Sequence, residues 1–249
     1  MRGHFVGNND VHLVFHLIRH GESELNQKPW LIGGRSPATD LSQLGARQSR
    51  ALGDRLSDEG LKIDLFFSSP LLRATKTAAI LCETLGFPYS DIELTEALTE
   101  LSQGDWEGSH RDKIYTESQL RHINTMGHLF TPPGGESQRM VERRVSNWLE
   151  DRITNNHEVI NNLEAREAKR TLNIVVVSHA ITLKCLFHYI LRFSDRFIYR
   201  FQIDNCSLSR FIFCRDGWFI HSVNDSHHLR FTSMPADKSR VSETQPASK

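Results

Sequence analysis

The amino-acid sequence predicts an α/β fold, with a mostly parallel central β-sheet flanked by helices on both faces. Three observations carry this. Leu172 to Ser178 is a β-branched run, Leu-Asn-Ile-Val-Val-Val-Ser, as expected of a central strand covered on both sides. A second strand, with Val11, Leu13 and Phe15 alternating with His12, Val14 and His16, runs into Leu17-Ile18. Other segments carry apolar residues three and four apart, the spacing of amphipathic helices. At 249 residues the chain suits one large domain or two small ones, and a single core of that size buries roughly 70–75% of the unfolded surface.

The first strand ends in Arg19-His20-Gly21-Glu22-Ser23, where Gly21 gives the chain freedom to turn past the strand's carboxyl end. Pro29 to Pro37 is a loop by its Gly and Pro content. Its Trp30-Leu31-Ile32 triplet should fold over something, either the wall of a site or plain core. Ser42 can cap a helix bearing Leu44, Ala51, Leu52 and Leu56, which Gly60 ends. Ile63 to Ser68 is a short buried strand. Ser69 then reads as the cap, and Pro70 as the first residue, of a helix whose first turn holds Arg73 beside amides that favour an anion.

A strand near Asp91 to Leu94 precedes Ala97 to Gly108, where Glu100 and Glu107 are both candidates to face a site. Residues 110–137 are irregular and polar up to Pro132-Pro133-Gly134-Gly135-Glu136-Ser137. The next helix places Met140, Val141, Val145, Trp148, Leu149 and Ile153 on one side, and Asn155 to Arg170 reads as a solvated helical tail or loop. The Leu172–Ser178 strand delivers His179 at its end, followed by an apolar helix with Ile181, Leu183, Leu186, Ile190 and Leu191. Asp216-Gly217 between two apolar runs reads as a β-hairpin turn. His227-His228 has no partners at metal-ligand spacing. Beyond Phe231 almost nothing is apolar, so residues 232–249 are expected to be a disordered tail.

Thirty basic residues balance thirty acidic ones, which argues against a nucleic-acid or anionic-membrane surface. Four dispersed cysteines point to free thiols in a reducing compartment. Met1 to Asp10 lacks the apolar core of a signal peptide, and no apolar run reaches bilayer length, so a soluble cytoplasmic protein is expected. The G-x-S-x-G elbow of serine hydrolases and the G-x-x-x-x-G-K phosphate loop are absent.

An Arg and a His at the carboxyl end of a strand lie where open α/β sheets bind ligands. The guanidinium can fork onto phosphate oxygens while a neutral imidazole attacks phosphorus. Leu17 to Ser23 resembles the R-H-G-E-[ST] signature of the histidine phosphatase superfamily, which includes the phosphoglycerate mutases. Leu41 to Gln48 is similar to its L-[ST]-x-x-G-x-x-Q stretch, and Ser68 to Ala78 to its S-S-P-x-x-R-[AT]-x-x-T-A block. Leu98 to Gly108 resembles the L-x-E…G-x-W-E-G block of phosphatase members such as α-ribazole phosphatase, and Val176 to Ala180 the V-V-S-H-[AG] block.

The resemblance implies a single three-layer sandwich over residues 1–231 that hydrolyses a phosphate monoester through a phosphohistidine on His20, without metal or other cofactor. Glu100 would be the proton donor, with Glu107 the alternative. Arg19, Arg73 and His179 complete the catalytic set. Asn26 and Ala180 join Arg19, Arg73 and His179 around the phosphate. Trp30, Ile32, Arg35, Trp106 and residues 110–133 are expected to shape the substrate, a phosphorylated small molecule or phosphopeptide, and Arg35 suggests a second anionic group.

A phosphomutase is the main alternative. Mutases of the superfamily resemble one another in an Arg-His-Tyr-Gly run after the acid Glu and in a long insert with a proline cluster. This chain has Leu101-Ser102-Gln103-Gly104-Asp105-Trp106 there and the single pair Pro132-Pro133. A non-catalytic binding module on the same fold is the other alternative. Degenerate copies of that kind usually lose a His or an Arg, and this chain keeps all five residues of the set.

Overall fold

The computed structural model of the protein describes residues 12–156, 171–195, 198 and 200–230. The expectations for Met1–Asp10, for residues 157–170 and for the tail 232–249 lie outside these.

The sheet has six strands: β1 (His12–Arg19), β2 (Leu65–Ser68), β3 (Ile92–Leu94), β4 (Thr171–Ser178), β5 (Leu208–Cys214) and β6 (Gly217–Asp225), in the order β3-β2-β4-β1-β5-β6. The first four are mutually parallel, whereas β5 runs antiparallel to β1 and forms the hairpin with β6. β1 and β4 pair in register from His12↔Thr171 to Arg19↔Ser178. Their carboxyl ends, and the histidines that follow them, therefore lie side by side. His20 N donates to Ser178 O at 3.0 Å and extends the pairing one residue further.

Alternate residues of these strands serve opposite faces, because side chains project with a period of two. Ile18, Phe66, Val175 and Val177 pack on Leu52 and Leu56 of α1 (Gln43–Asp58) and on Ala74, Ala78 and Leu81 of α2 (Leu72–Leu85). Between this layer and the opposite one the chain forms α3 (Arg111–Ile114) and α4 (Glu117–Met126). Phe15, Leu17, Phe67, Ile174 and Val176 pack on Val145, Trp148 and Leu149 of α5 (Gln138–Leu149) and on Leu183, Leu186 and Phe187 of α6 (Ala180–Leu191). The result is the three-layer arrangement expected for the fold.

Ser42 and Ser137 cap α1 and α5, each accepting from the amide three residues on. Gly60, at φ 70°, follows the end of α1. The start of α2 differs from expectation. The helix begins at Leu72 with Leu71 as its N-cap residue, while Ser69 Oγ, one turn earlier, accepts from Leu71 N at 3.3 Å and also pairs with His179 Nε2. Met140 also departs from its predicted face and is 49% exposed, while Val141, Val145, Trp148 and Leu149 make the buried stripe. α4 buries none of its residues.

His16 sits in the middle of β1 with its pKa lowered to about 4, chiefly by burial. The unfolded chain takes up that proton near pH 6.5, so between these values the unfolded state binds more protons than the folded one. Stability from this group is complete above about pH 6.5 and falls as pH drops towards 4, by about 3 kcal/mol. Urea unfolding between pH 7 and 4.5 should show a decline that His16→Gln makes shallower by about one proton. An unchanged slope would contradict the assignment.

Candidate active site

His20 is 3% exposed at the end of β1. Its Nδ1 lies 2.6 Å from Gly21 O. A carbonyl accepts and never donates, so Nδ1 carries the proton and the Nε2 lone pair is left open. That lone pair faces Arg73, whose Nε–H donates to it at 3.3 Å. Burial, then the Arg73 and Arg19 guanidiniums, push the His20 pKa well below the usual imidazole value. His20 is thus held as a neutral imidazole with its lone pair turned towards a cation.

Gly21 turns without a positive φ. Glycine is required there because a Cβ would meet Gly45 O of α1 at 2.5 Å. The expected conformational freedom is therefore replaced by a close approach that seats α1 beside the turn.

Arg73, in the first turn of α2, is 4% exposed and anchored by the loop before it. Its Nη1 donates to Arg35 O (3.0 Å) and Ser36 O (3.2 Å), and its Nη2 to Gly34 O (3.0 Å). Glu107 fixes the same loop by accepting from the amides of Arg35 and Ser36, both at 3.0 Å, and from Gln103 N at 3.1 Å. Gly34 lets that carboxylate approach, since a Cβ there would collide with Glu107 Oε1. Ser36 sits at φ 34°, a strained conformation held from both sides by Glu107 and Arg73. Glu107 is a brace for Arg73, and its oxygens are occupied.

Glu100 sits on the cavity wall at the start of α6. Its Oε1 accepts from Leu101 N (2.9 Å) and Thr182 N (3.2 Å), and its Oε2 from Ile181 N (3.3 Å), while the Thr182 hydroxyl gives its proton to Thr99 O at 2.6 Å. The carboxylate is thereby fixed by helix N-terminal amides.

His179 is fully buried, with its ring centroid 5.0 Å from that of His20. Its Nε2 pairs with Ser69 Oγ at 2.8 Å, and its buried Nδ1 has no partner among the described residues. Burial first, then His20, Arg73 and Arg19, lower its pKa well below the ordinary value. Arg19 spends Nη1 on Ile203 O at 2.6 Å and keeps a buried Nε–H with no partner among the described residues. Ala180 is the first residue of α6, directly after His179.

Arg19, His20, Asn26, Arg73 and Glu100 line, together with Ile32, a cavity of about 540 Å³, with His179 and Ala180 behind its wall residues. Asn26 Oδ1 accepts from Ser23 N and Ser23 Oγ, both at 3.0 Å, and from Asn205 Nδ2 at 3.1 Å. Asn205, which the sequence did not single out, also lies 3.1 Å from His20 O and so ties the end of β1 to the segment before β5. Cys206 N supports the same turn by donating to Arg19 O and His20 O. Neither residue has a local sequence signal, because both act through a pairing made across the sheet.

Of the other expected substrate-shaping residues, Trp106 lines an adjoining cleft, and Trp30 and Arg35 turn away from the cavity. Trp30 is 52% exposed and does not line the cavity; its carbonyl holds Arg111 N. Arg35 turns its side chain to Glu136 at 3.2 Å, so the cations lining the mouth are Lys28 and Arg111 instead. Trp106 belongs to a neighbouring cleft. Among the described residues no cluster of three or more His, Cys, Asp or Glu could hold a metal ion, and no helix is long and apolar enough to cross a membrane.

Comparison with known proteins places this geometry. A 2,3-bisphosphoglycerate-dependent phosphoglycerate mutase of Methylobacterium sp. (strain 4-46) is 39% identical over 132 residues, 52% of this chain and 62% of the mutase. The chain thus spans less than two thirds of that relative's length. Among solved structures, a mycobacterial glucosyl-3-phosphoglycerate phosphatase superposes with a TM-score of 0.69 at 23% identity, over 87% of this chain and 99% of that one. A putative α-ribazole-5′-P phosphatase from Escherichia coli K-12 gives 0.67 at 25% identity, over 86% and 97%. The family profile of the histidine phosphatase superfamily (branch 1) matches residues 15–226, and the chain belongs to that superfamily.

Proposed function

We propose that the protein hydrolyses a phosphate monoester by way of a phosphohistidine on His20. The observation that carries this is the His20 ring, with its proton held on Nδ1 by Gly21 O and its Nε2 lone pair facing Arg73. An entering phosphoryl group takes over the Arg73 Nε–H bond and frees the lone pair. The unpartnered Arg19 Nε–H, the remaining Arg73 Nη2–H, His179 Nδ1 and the exposed amide of Asn26 supply further donors to the phosphoryl oxygens. Each charge-assisted bond contributes roughly 1.5–3 kcal/mol.

Nε2 attacks phosphorus as the P–O ester bond breaks, and its electron pair leaves on the alcohol oxygen. Glu100 gives that oxygen a proton. Oε2, which accepts one bond where Oε1 accepts two, is the oxygen able to carry it. The ring gains positive charge, which the Gly21 carbonyl meets at Nδ1. Water then attacks phosphorus and gives its proton to Glu100. The P–N bond breaks with its pair returning to Nε2, and inorganic phosphate departs. Phosphorylated small molecules are the substrate class this cavity suits.

A phosphomutase is the second reading, favoured by the name of the Methylobacterium relative. Hydrolysis is preferred because Leu101 to Trp106 follow Glu100 in the phosphatase-like form and the segment up to Pro133 carries only the Pro132-Pro133 pair. The purified protein should release inorganic phosphate from a monoester and should not interconvert 3- and 2-phosphoglycerate in a coupled assay. Efficient interconversion with little phosphate release would overturn hydrolysis. Glu100→Gln should reduce kcat by roughly 10²–10⁴-fold for alkyl phosphates and far less for p-nitrophenyl phosphate, whose leaving group needs little protonation. Equal losses on both would assign Glu100 to binding alone.

A further inference from the structure

A second cleft of about 290 Å³ adjoins the phosphate cavity, sharing Leu101, Gln103, Arg111 and Tyr115 as wall residues. Its remaining walls are largely apolar. Trp106 stacks on Phe130 with ring centroids 5.5 Å apart and meets Tyr115 edge-on at 6.0 Å. From α4 come Leu120, 44% exposed, and Ile123. An isolated helix of ten residues is marginal in water, and α4 buries nothing of its own, so its apolar side gains stability when something covers it.

A second observation points to a ligand. Gln138, at the start of α5, lines this cleft and is 4% exposed, yet its buried Nε2 has no hydrogen-bond partner among the described residues. A buried amide without an acceptor is costly, and an acceptor on a bound molecule relieves that cost. The acidic wall residue, Glu136, is already tied to Arg144 and Arg35. A polyhydroxylated group would leave most of its hydroxyls unpaired here, whereas a ring finds aromatic faces on several sides.

We propose that this cleft takes the alcohol portion of the phosphate monoester, an apolar, ring-bearing group that offers a hydrogen-bond acceptor to Gln138. The inference rests on reading the His20 centre as a phosphate site, with which the cleft is continuous. Leu120, Ile123 and Gln138 are then specificity-determining residues.

Phosphonates test this by direct calorimetric titration, since their P–C bond makes binding independent of turnover. A naphthylalkyl phosphonate should bind the wild type at least about tenfold more tightly than methylphosphonate. Equal affinities would overturn the proposal. The Leu120→Ser/Ile123→Ser double variant, altered at one exposed and one half-buried helix position, should lose most of that gain, with methylphosphonate as the internal reference. A gain that survives would place the ring elsewhere and overturn it. An arylalkyl phosphonate bearing a ketone should bind more tightly than its methylene counterpart, and Gln138→Leu should erase the difference; any other pattern removes the acceptor from the proposal. Failure of methylphosphonate itself to bind overturns the phosphate-site reading as well. Ring preference without phosphate release overturns hydrolysis alone.

Discussion

His20→Ala is expected to abolish turnover, with kcat falling about 10⁴–10⁶-fold, because it removes the atom that forms the intermediate. Rapid quench of the wild type with a phosphoryl-labelled substrate should trap acid-labile, alkali-stable label, and the variant should trap none. Label on a serine, or an unlabelled wild type under trapping conditions, would refute the mechanism. The neutral state of His20 adds a pH test. Its pKa lies well below the ordinary imidazole value, so the nucleophile stays unprotonated as pH falls through 6.5. Single-turnover phosphorylation should therefore show no acid limb near pH 6.5 from this ring.

Arg73→Lys is expected to lower kcat by about 10³-fold or more, in the range that loss of a transition-state arginine produces. The guanidinium does two jobs at once. Its Nη groups hold the carbonyls of Gly34, Arg35 and Ser36 while its Nε faces His20 Nε2. A lysine ammonium has no fixed fork and cannot span both sets. Phosphate affinity should fall with kcat, and an activity within tenfold of wild type would assign Arg73 to the loop alone. Glu107 matters by the same route, since it holds the loop that holds Arg73.

His20, Arg73 and His179 were legible in the sequence for a physical reason. Each follows a strand end or opens a helix, so backbone periodicity plus a short motif fixes its place. The choice between Glu100 and Glu107 was not, because both lie in an irregular segment; which carboxylate is free depends on the loop around Gly34 that folds onto Glu107. Arg35 and Trp30 were misplaced for a related reason. Loop side chains have no periodicity to orient them, and Glu136, far along the chain, decides where Arg35 points. Ser69 reads as a helix cap and its hydroxyl does accept from Leu71 N, but its second bond, to His179, joins residues 110 positions apart and has no local signal. Asn205 and Gln138 carry no motif at all, and their roles exist only once β5 and α5 are in place.

The strand order has a consequence for how the protein is made. β1 leaves the ribosome well before its hydrogen-bonding partners, Thr171–Ser178 and Leu208–Cys214, which follow it at long sequence separation. Until those segments emerge, both edges of an apolar strand stay unpaired, a condition that invites chaperone capture or aggregation. The His20 centre can therefore be assembled only after Ser178 and Cys206 have emerged. Nascent chains stalled before Thr171 should be protease-sensitive through β1, and chains released after Asp225 should become resistant there in one step.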